Sequence, residues 1–383
     1  MPDESSPAAA TAAPSPVQCV PVGSGDHIAY VVSGYAEARQ ALADPRLSKS
    51  TAAFFADKNS RRRLHPAVAH NMLATDPPQH TRLRKLVTSA FTSGAVAALR
   101  NVISCTVDDL LDKWPARGEV DVITGLALPL PVAVICHLLG VPEADRPDVR
   151  RWSAELFSDG RPDLIDSASH ALAEYMTALI TAKRQRPGDS LLDRLIACRD
   201  GADRLTEDEL VSLAVLLLVA GHETTTHFIG NALLGLLQHP DELDRLHAHP
   251  EAVPAALDEL LRYTSPVSTA TFRYTTEPIS LGGIDIPTGV PVQVAIAAAN
   301  RDPDRFPLPD DLDLSRDASG HLAFGHGIHR CVGASLAKAE AEIALAGVLS
   351  RFPRIRLSVP PDQLAWRRTR LVRGLVSLDV VTG

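Results

Sequence analysis

The chain has 383 residues, which fits about two to three average domains or one large one, and its 38 Lys and Arg against 46 Asp and Glu leave a formal charge of −8. A net acidic chain argues against a nucleic-acid partner, because neutralising phosphates needs a basic stripe. Apolar residues make up 45% and aromatics 4%, so the core must be aliphatic, while the longest apolar run, Leu210 to Gly221, is too short to span a bilayer.

Residues 1–16 are rich in Pro, Ala and Ser and have no basic n-region, so they read as a flexible leader and not as a signal peptide. This predicts a cytoplasmic protein with one domain over 17–383. The segment to about residue 50 reads as two short strands and a helix, with His27–Ser33 β-rich and Tyr35–Ala43 helical in period. Residues 51–72 read as a long loop with at most one short helix, and Asp76-Pro77-Pro78 as a Pro-led helix start. Helical periods then dominate: Ala95–Trp114, Leu128–Leu139, Asp145–Phe157, Asp166–Arg186 and Ser190–Asp200. Thr206 with Glu209 is a capping-box start for the longest periodic stretch, Glu207 to His239, whose first half is apolar nearly all round and therefore central. A helix over Val253–Tyr263 precedes strand-like Thr269–Thr275, Ile279–Leu281 and Val290–Ala297; residues 300–330 lack periodicity, and Ala334–Phe352 is again helical. The fold class is mainly α with a minor β part.

Five cysteines, an odd number without any CxxC, support neither a disulfide framework nor a zinc ribbon. Cys331 differs from the rest: it lies in Phe324-Gly325-His326-Gly327-Ile328-His329-Arg330-Cys331-Val332-Gly333, just ahead of the Ala334 helix. The glycines let the backbone approach something flat, and a helix N-terminus lowers a thiol's pKa, a setting for a thiolate as an axial haem ligand. A second constellation, Ala220-Gly221-His222-Glu223-Thr224-Thr225-Thr226-His227, interrupts the apolar helix. Gly221 and Thr224 could open its hydrogen-bond ladder, and an acid–alcohol pair there suits proton transfer. A zinc reading of His222 and His227 fails, because positions i and i+5 stand about 140° apart. Glu259 and Arg262 form an i,i+3 pair, as common on solvated surfaces as elsewhere, and His80 with Arg84 could grip an anion from one helical face.

In this order the motifs resemble the haem-thiolate monooxygenases of the cytochrome P-450 superfamily, from about residue 17 to the end. FxxGxxxCxG, AGxET, ExxR and Asn300-Arg301-Asp302-Pro303 carry the resemblance, and the AGHETT and GHGIH variants are similar to soluble bacterial members that tailor secondary metabolites. The resemblance implies a long central helix over a haem b and the cysteine loop beneath it. Cys331 would be the axial iron ligand, a thiolate favouring O–O cleavage; Thr224 and Glu223 would deliver protons to dioxygen, with Gly221 and Ala220 leaving it room. His80, Arg84, Arg273 and His329 would hold the haem carboxylates, Phe324, Gly325 and Gly333 would shape the loop, and Glu259–Arg262 would be a structural pair. Substrate-wall positions would be Leu216, Leu217, Val267, Ser268, Thr269, Ala270, Leu371 and Val372, with parts of 51–72 and 157–165; their short side chains suit a large neutral macrolide, polyketide or terpenoid. Arg61–Arg63 could read an anionic group.

With no flavin, dinucleotide or iron–sulfur fingerprint in the sequence, the resemblance implies electrons from NAD(P)H through a ferredoxin reductase and a ferredoxin, steered by Lys85, Arg330 and Lys338 to a monomeric enzyme. A peroxide-driven peroxygenase and a non-catalytic haem module are the alternatives. One apparent departure is that Pro309-Asp310-Asp311-Leu312 stands where a Pro-Asp-Arg-Phe segment is expected, leaving Arg262 without its usual third partner. Arg316, or else Arg305, is expected to take its place.

Overall fold

A computed structural model describes residues 15–21, 28–55, 63–156, 161–200, 205–367, 369 and 371–383. The helix Glu207–Gln238 is its axis. Thr206 caps it in both directions with Glu209, satisfying N–H groups that a helix start otherwise leaves open. At about 1.5 Å per residue its 32 residues run about 48 Å. By length and apolarity it could cross a membrane, more than the run Leu210 to Gly221 alone suggested, but 72% of its most apolar stretch is buried inside the fold. Against it pack Pro129–Leu139, Pro162–Gln185, Val253–Thr264 and Ala334–Arg351, the last also packed on Ser93–Leu111. Their Leu, Val, Ile and Ala side chains form one continuous aliphatic core.

The smaller β part has its own core around the helix Tyr35–Ala43. Val17–Pro21 pairs antiparallel with Ile28–Val32, which runs parallel to Val292–Val294. A second sheet joins Glu119–Asp121, Asp379–Val381 and Arg356–Leu357. Leu47–Ser48 pairs with Tyr274–Thr275, and the hairpin Ile279–Leu281/Ile284–Ile286 turns on Gly282 and Gly283, both at positive φ.

Several expected boundaries move. The strand expected over Thr269–Thr275 is confined to its last two residues, and that over Val290–Ala297 to Val292–Val294, because the chain then turns into the short helix Ile296–Ala299. The 51–72 loop carries two short helices, Thr51–Phe55 and Pro66–Ala69, the second started by His65, whose side chain accepts from the Ala67 N–H. A helix over Pro240–Ala248 follows the long one without warning. The leader, except for Ser15 and Pro16, lies outside the described residues, as do His27, Arg61, Arg62 and 157–160. Arg63 is exposed.

Candidate active site

The long helix and the cysteine loop face each other across a cavity of about 250 Å³. The helix contributes Leu216, Leu217, Ala220, Gly221 and Thr224; the loop contributes Phe324, Gly325, His329, Cys331 and Gly333. The loop is closed by the Cys331 N–H donating to the Phe324 carbonyl at 2.8 Å. Gly325 and Gly327 both sit at positive φ, and a Cβ on Gly327 would stand 2.7 Å from the Leu42 carbonyl oxygen. These glycines therefore serve the loop's own tight path. Cys331 is exposed on the cavity wall that it lines. Burial pushes its thiol up, outweighing the Gly333 N–H and the Arg84 and Arg330 guanidiniums that pull it down. The helix N-terminus alone therefore does not make a thiolate here; coordination to a metal would.

At the cavity's edge lies a group of basic side chains. Arg84 and Arg273 line it, each donating to a backbone carbonyl, Arg330 at 2.6 Å and Thr271 at 3.0 Å. Burial lowers both, Arg273 to about 10. His329 lines the cavity and lies against His80, ring centroids 4.0 Å apart and planes tilted by 48°, and none of the four imidazole nitrogens has a hydrogen-bond partner among the described residues. Burial, then the neighbouring cations, holds His329 down to about 2 and lowers His80. Buried polar atoms are rarely left orphaned, so this cluster fits an acceptor-rich anion. The carboxylates of a haem whose iron meets Cys331 match it in charge and placement.

The acid and the alcohol part company. Thr224 lines the cavity, its hydroxyl 3.5 Å from the Ala220 carbonyl. Glu223, about 100° further round the helix, is buried behind it and accepts from Arg367 at 3.2 Å, with His227 Nε2 at 3.7 Å. Contrary to the expected opening of the ladder, the helix runs unbroken through this stretch. Thr224 donates to the Ala220 carbonyl within the continuous helix, and Gly221 serves packing, since a Cβ there would meet Ile135 at 2.8 Å.

Glu259 and Arg262 are fully buried, joined by two bonds of 2.7 and 2.8 Å. Arg262 also donates to the carbonyls of Asn300, Pro309 and Asp311. Arg316 completes the group, its Nε 3.2 Å from Glu259. The departure at Asp311 is therefore made good by Arg316, as expected, and Asp311 itself contributes its backbone carbonyl. Arg305 instead donates to the Ser319 carbonyl and lies over the Phe306 ring. A Pro-Asp-Arg-Phe string also stands one segment earlier, at 303–306, but among the described contacts its Arg305 makes none with Glu259; its Phe306 is buried under the Arg262 guanidinium.

Of the substrate-wall positions, Leu216, Leu217, Val267 and Ala270 line the cavity. Ser268, Thr269, Leu371 and Val372 stand behind it, tying the wall together through Val267 opposite Val372 and the Ser268 N–H to Leu371 carbonyl bond of 2.9 Å. Three charged participants were not foreseen: Lys49, Glu340 and Arg367. Lys49 and Glu340 line the cavity; Glu340 is a buried carboxyl, pushed well up by burial. An acid on the apolar face of Ala334–Arg351 was the available signal for Glu340; Arg367 and Lys49 offered none.

The family model described as Cytochrome P450 matches residues 151–373. The chain belongs to the cytochrome P450 family. It is 47% identical to Cytochrome P450 107B1 of Saccharopolyspora erythraea, over 93% of this chain and 89% of that protein. To Cytochrome P450 monooxygenase PikC of Streptomyces venezuelae it is 44% identical, over 96% of this chain and 88% of the relative. Among solved structures, the tirandamycin C-bound P450 monooxygenase TamI superposes with a TM-score of 0.87 at 45% identity, covering 94% of this chain and 91% of that one. This P450 is thus a monooxygenase of the group that tailors natural products, and it uses haem and dioxygen.

Proposed function

We propose that this P450 inserts one oxygen atom from dioxygen into a large, mostly neutral natural product of macrolide, polyketide or terpenoid type. It takes electrons from NAD(P)H through a ferredoxin reductase and a ferredoxin, as a cytoplasmic monomer whose single domain spans 17–383. The observation that carries the substrate class is the wall of Met72, Leu73, Leu216, Leu217, Val267 and Ala270, apolar throughout, above a cavity whose charged groups gather at the cofactor's edge. An apolar wall binds by excluding water and offers no partner to a charged ligand. Relatives named 6-deoxyerythronolide B hydroxylase and Mycinamicin IV hydroxylase/epoxidase, 42% and 39% identical, support the same class.

Bound haem supplies the activation of dioxygen. The chain's own residues do the rest. Cys331 Sγ would hold the iron, Arg84, Arg273, His80 and His329 would donate to the carboxylates, and Phe324, Gly325 and Gly333 would fix the loop. Thr224 presents a hydroxyl to the cavity from which a proton can pass; Glu223, bonded to Arg367, would have to leave that partner and turn toward Thr224 to replace the proton. Exposed Lys85 and Arg330 attract an acidic ferredoxin, whereas Lys338 is engaged by Asp258.

The decisive experiment has two arms. The carbon monoxide difference spectrum of the reduced protein shows the strongly red-shifted Soret band of thiolate ligation in wild type and loses it in Cys331→Ala. Macrolactones, macrolides and terpenoids are then screened for a shift of iron spin state, and hits are turned over with NADPH, reductase and ferredoxin. Thr224→Ala should keep the spin-state response while diverting NADPH from product to peroxide. Turnover supported by peroxide but not by the redox partners would replace the proposal with a peroxygenase.

A further inference from the structure

Lys49 follows the two-residue strand Leu47–Ser48 and is 3% exposed, unusual for a residue type almost never fully buried unless paired. It lines the cavity beside Arg273, His80 and His329. Its Nζ meets the Thr271 hydroxyl. A hydroxyl can serve an amine in either protonation state, because it both donates and accepts. The nearest carboxylate, Asp76, is bonded to the Ser48 hydroxyl and to the Lys49 backbone N–H at 3.0 Å, and among the described contacts it takes no bond from Nζ. Lys49 is thus a buried amine at the cavity wall with no anion of its own. Burial first, then Arg273, brings it down to about 7.

Charge bookkeeping says what that amine is for. Two carboxylates of a haem, with Asp76, bring three negative charges to this edge. Arg84 and Arg273 supply two positive ones, and His80 and His329 are neutral at pH 7. One buried cation is lacking: Arg330 also touches the cavity but is exposed to solvent, and Lys49 is the buried group placed to supply it.

We propose that Lys49 is a further contact of the haem carboxylates and that it takes up a proton as the cofactor binds, so that cofactor retention is coupled to pH. This rests on the haem reading above. The sign follows by linkage: cofactor binding raises the Lys49 pKa, so its contribution is complete below the unbound value of about 7 and is lost as pH rises through the bound value. Of the other groups facing Lys49, His80 and His329 are lowered from the ordinary histidine value by burial and Arg273 is held at about 10, while Arg84 and Asp76 face it as fixed charges.

The test is transfer of haem from the holoprotein to excess apomyoglobin, for wild type, Lys49→Met and Lys49→Arg, between about pH 7 and 9. Wild type should release haem slowly at pH 7 and faster as pH rises. Lys49→Met should release it roughly tenfold faster at pH 7, the loss of one charge-assisted hydrogen bond, with little pH dependence. Lys49→Arg, permanently charged, should stay slow across the range, and it keeps the pH readout informative if the Met variant folds poorly. Equal transfer rates for wild type and Lys49→Met, both with thiolate-ligated haem, overturn the proposal. A wild type with no red-shifted carbon monoxide band defeats the haem reading instead. Myristic acid titrations separate a second source of carboxylate: if Lys49→Met loses fatty-acid binding while haem transfer is unchanged, Lys49 serves a substrate carboxylate, and the proposal fails.

Discussion

Two clusters of buried charge lie in this P450, and they are built to opposite rules. Around Arg262, every donor direction is used: two bonds to Glu259, three to backbone carbonyls, with Arg316 closing the acid's other side. Around Arg273, the neighbouring imidazoles carry four nitrogens with no partner, and Lys49 has only a hydroxyl. Both are buried to a similar degree, so burial does not tell structure from function here. Satisfaction does: a cluster whose bonds are all internal can only hold the fold, whereas one that leaves acceptors wanting is arranged for a group the chain does not contain.

The largest effect should therefore come from the satisfied cluster. Arg262→Ala leaves the Glu259 carboxylate in the core with Arg316 alone beside it and three carbonyls without their donor, which costs about 3–5 kcal/mol out of the roughly 5–15 that hold a domain together. Little folded holoprotein is expected, read as soluble yield and far-UV melting. Arg316→Ala removes one charge-assisted bond and its carbonyl contacts, about 1–3 kcal/mol, and should lower the melting temperature by a few degrees with haem still bound. An unchanged melting temperature in Arg316→Ala would mean that Arg262 and Glu259 suffice alone.

The unsatisfied cluster should respond the other way. Arg273→Met removes a buried cation that the fold itself pairs with one carbonyl, so the far-UV melting curve should hardly move. Haem transfer should quicken by roughly tenfold, as a charged contact to a carboxylate is lost. If Arg273→Met melts as early as Arg316→Ala, the distinction between the two clusters is not real.

The sequence made one cluster legible and half of the other. Three glycines around one cysteine, and a Pro-led helix carrying His80 and Arg84, are local patterns, and the geometry brings them to one cavity. Lys49 was missed because Arg46-Leu47-Ser48-Lys49-Ser50 reads as an ordinary solvated turn; what buries it, Thr271 and Arg273, lies more than 200 residues away. Arg316 was named as the substitute for the Arg missing at Asp311, and it is the residue that reaches Glu259, whereas Arg305 turns to the Ser319 carbonyl. The α fold was legible because its periods are long. The short strands were not, since two or three residues bound to partners far along the chain leave no period to read.

A third cluster, Glu223–His227–Arg367, lies between the two rules and gives the smallest and most discriminating effect. Glu223 has its cation, but His227 Nδ1 is orphaned, and Gly374 covers it so closely that a Cβ there would stand 1.9 Å away. No ligand can reach that nitrogen, so here the lack of a partner is a cost and not an invitation. Burial, then Arg367 and His222, holds His227 down to about 4. Because the unfolded chain takes a proton near pH 6.5 and the folded chain does not until about pH 4, stability falls as pH drops between the two. By pH 5 that amounts to about 2 kcal/mol. His227→Gln keeps a polar group against Arg367 but cannot titrate, so its denaturation free energy should fall less steeply between pH 7 and 5, by the equivalent of one proton. His80, His222 and His329 act alike in both proteins and cancel in the difference, and Asp193 and Asp258, both held near 2, titrate below this window. Parallel curves would show that His227 is protonated in the folded enzyme. Glu223 would then be held by two cations and not one, and the cluster would belong with Arg262 among those that only hold the fold.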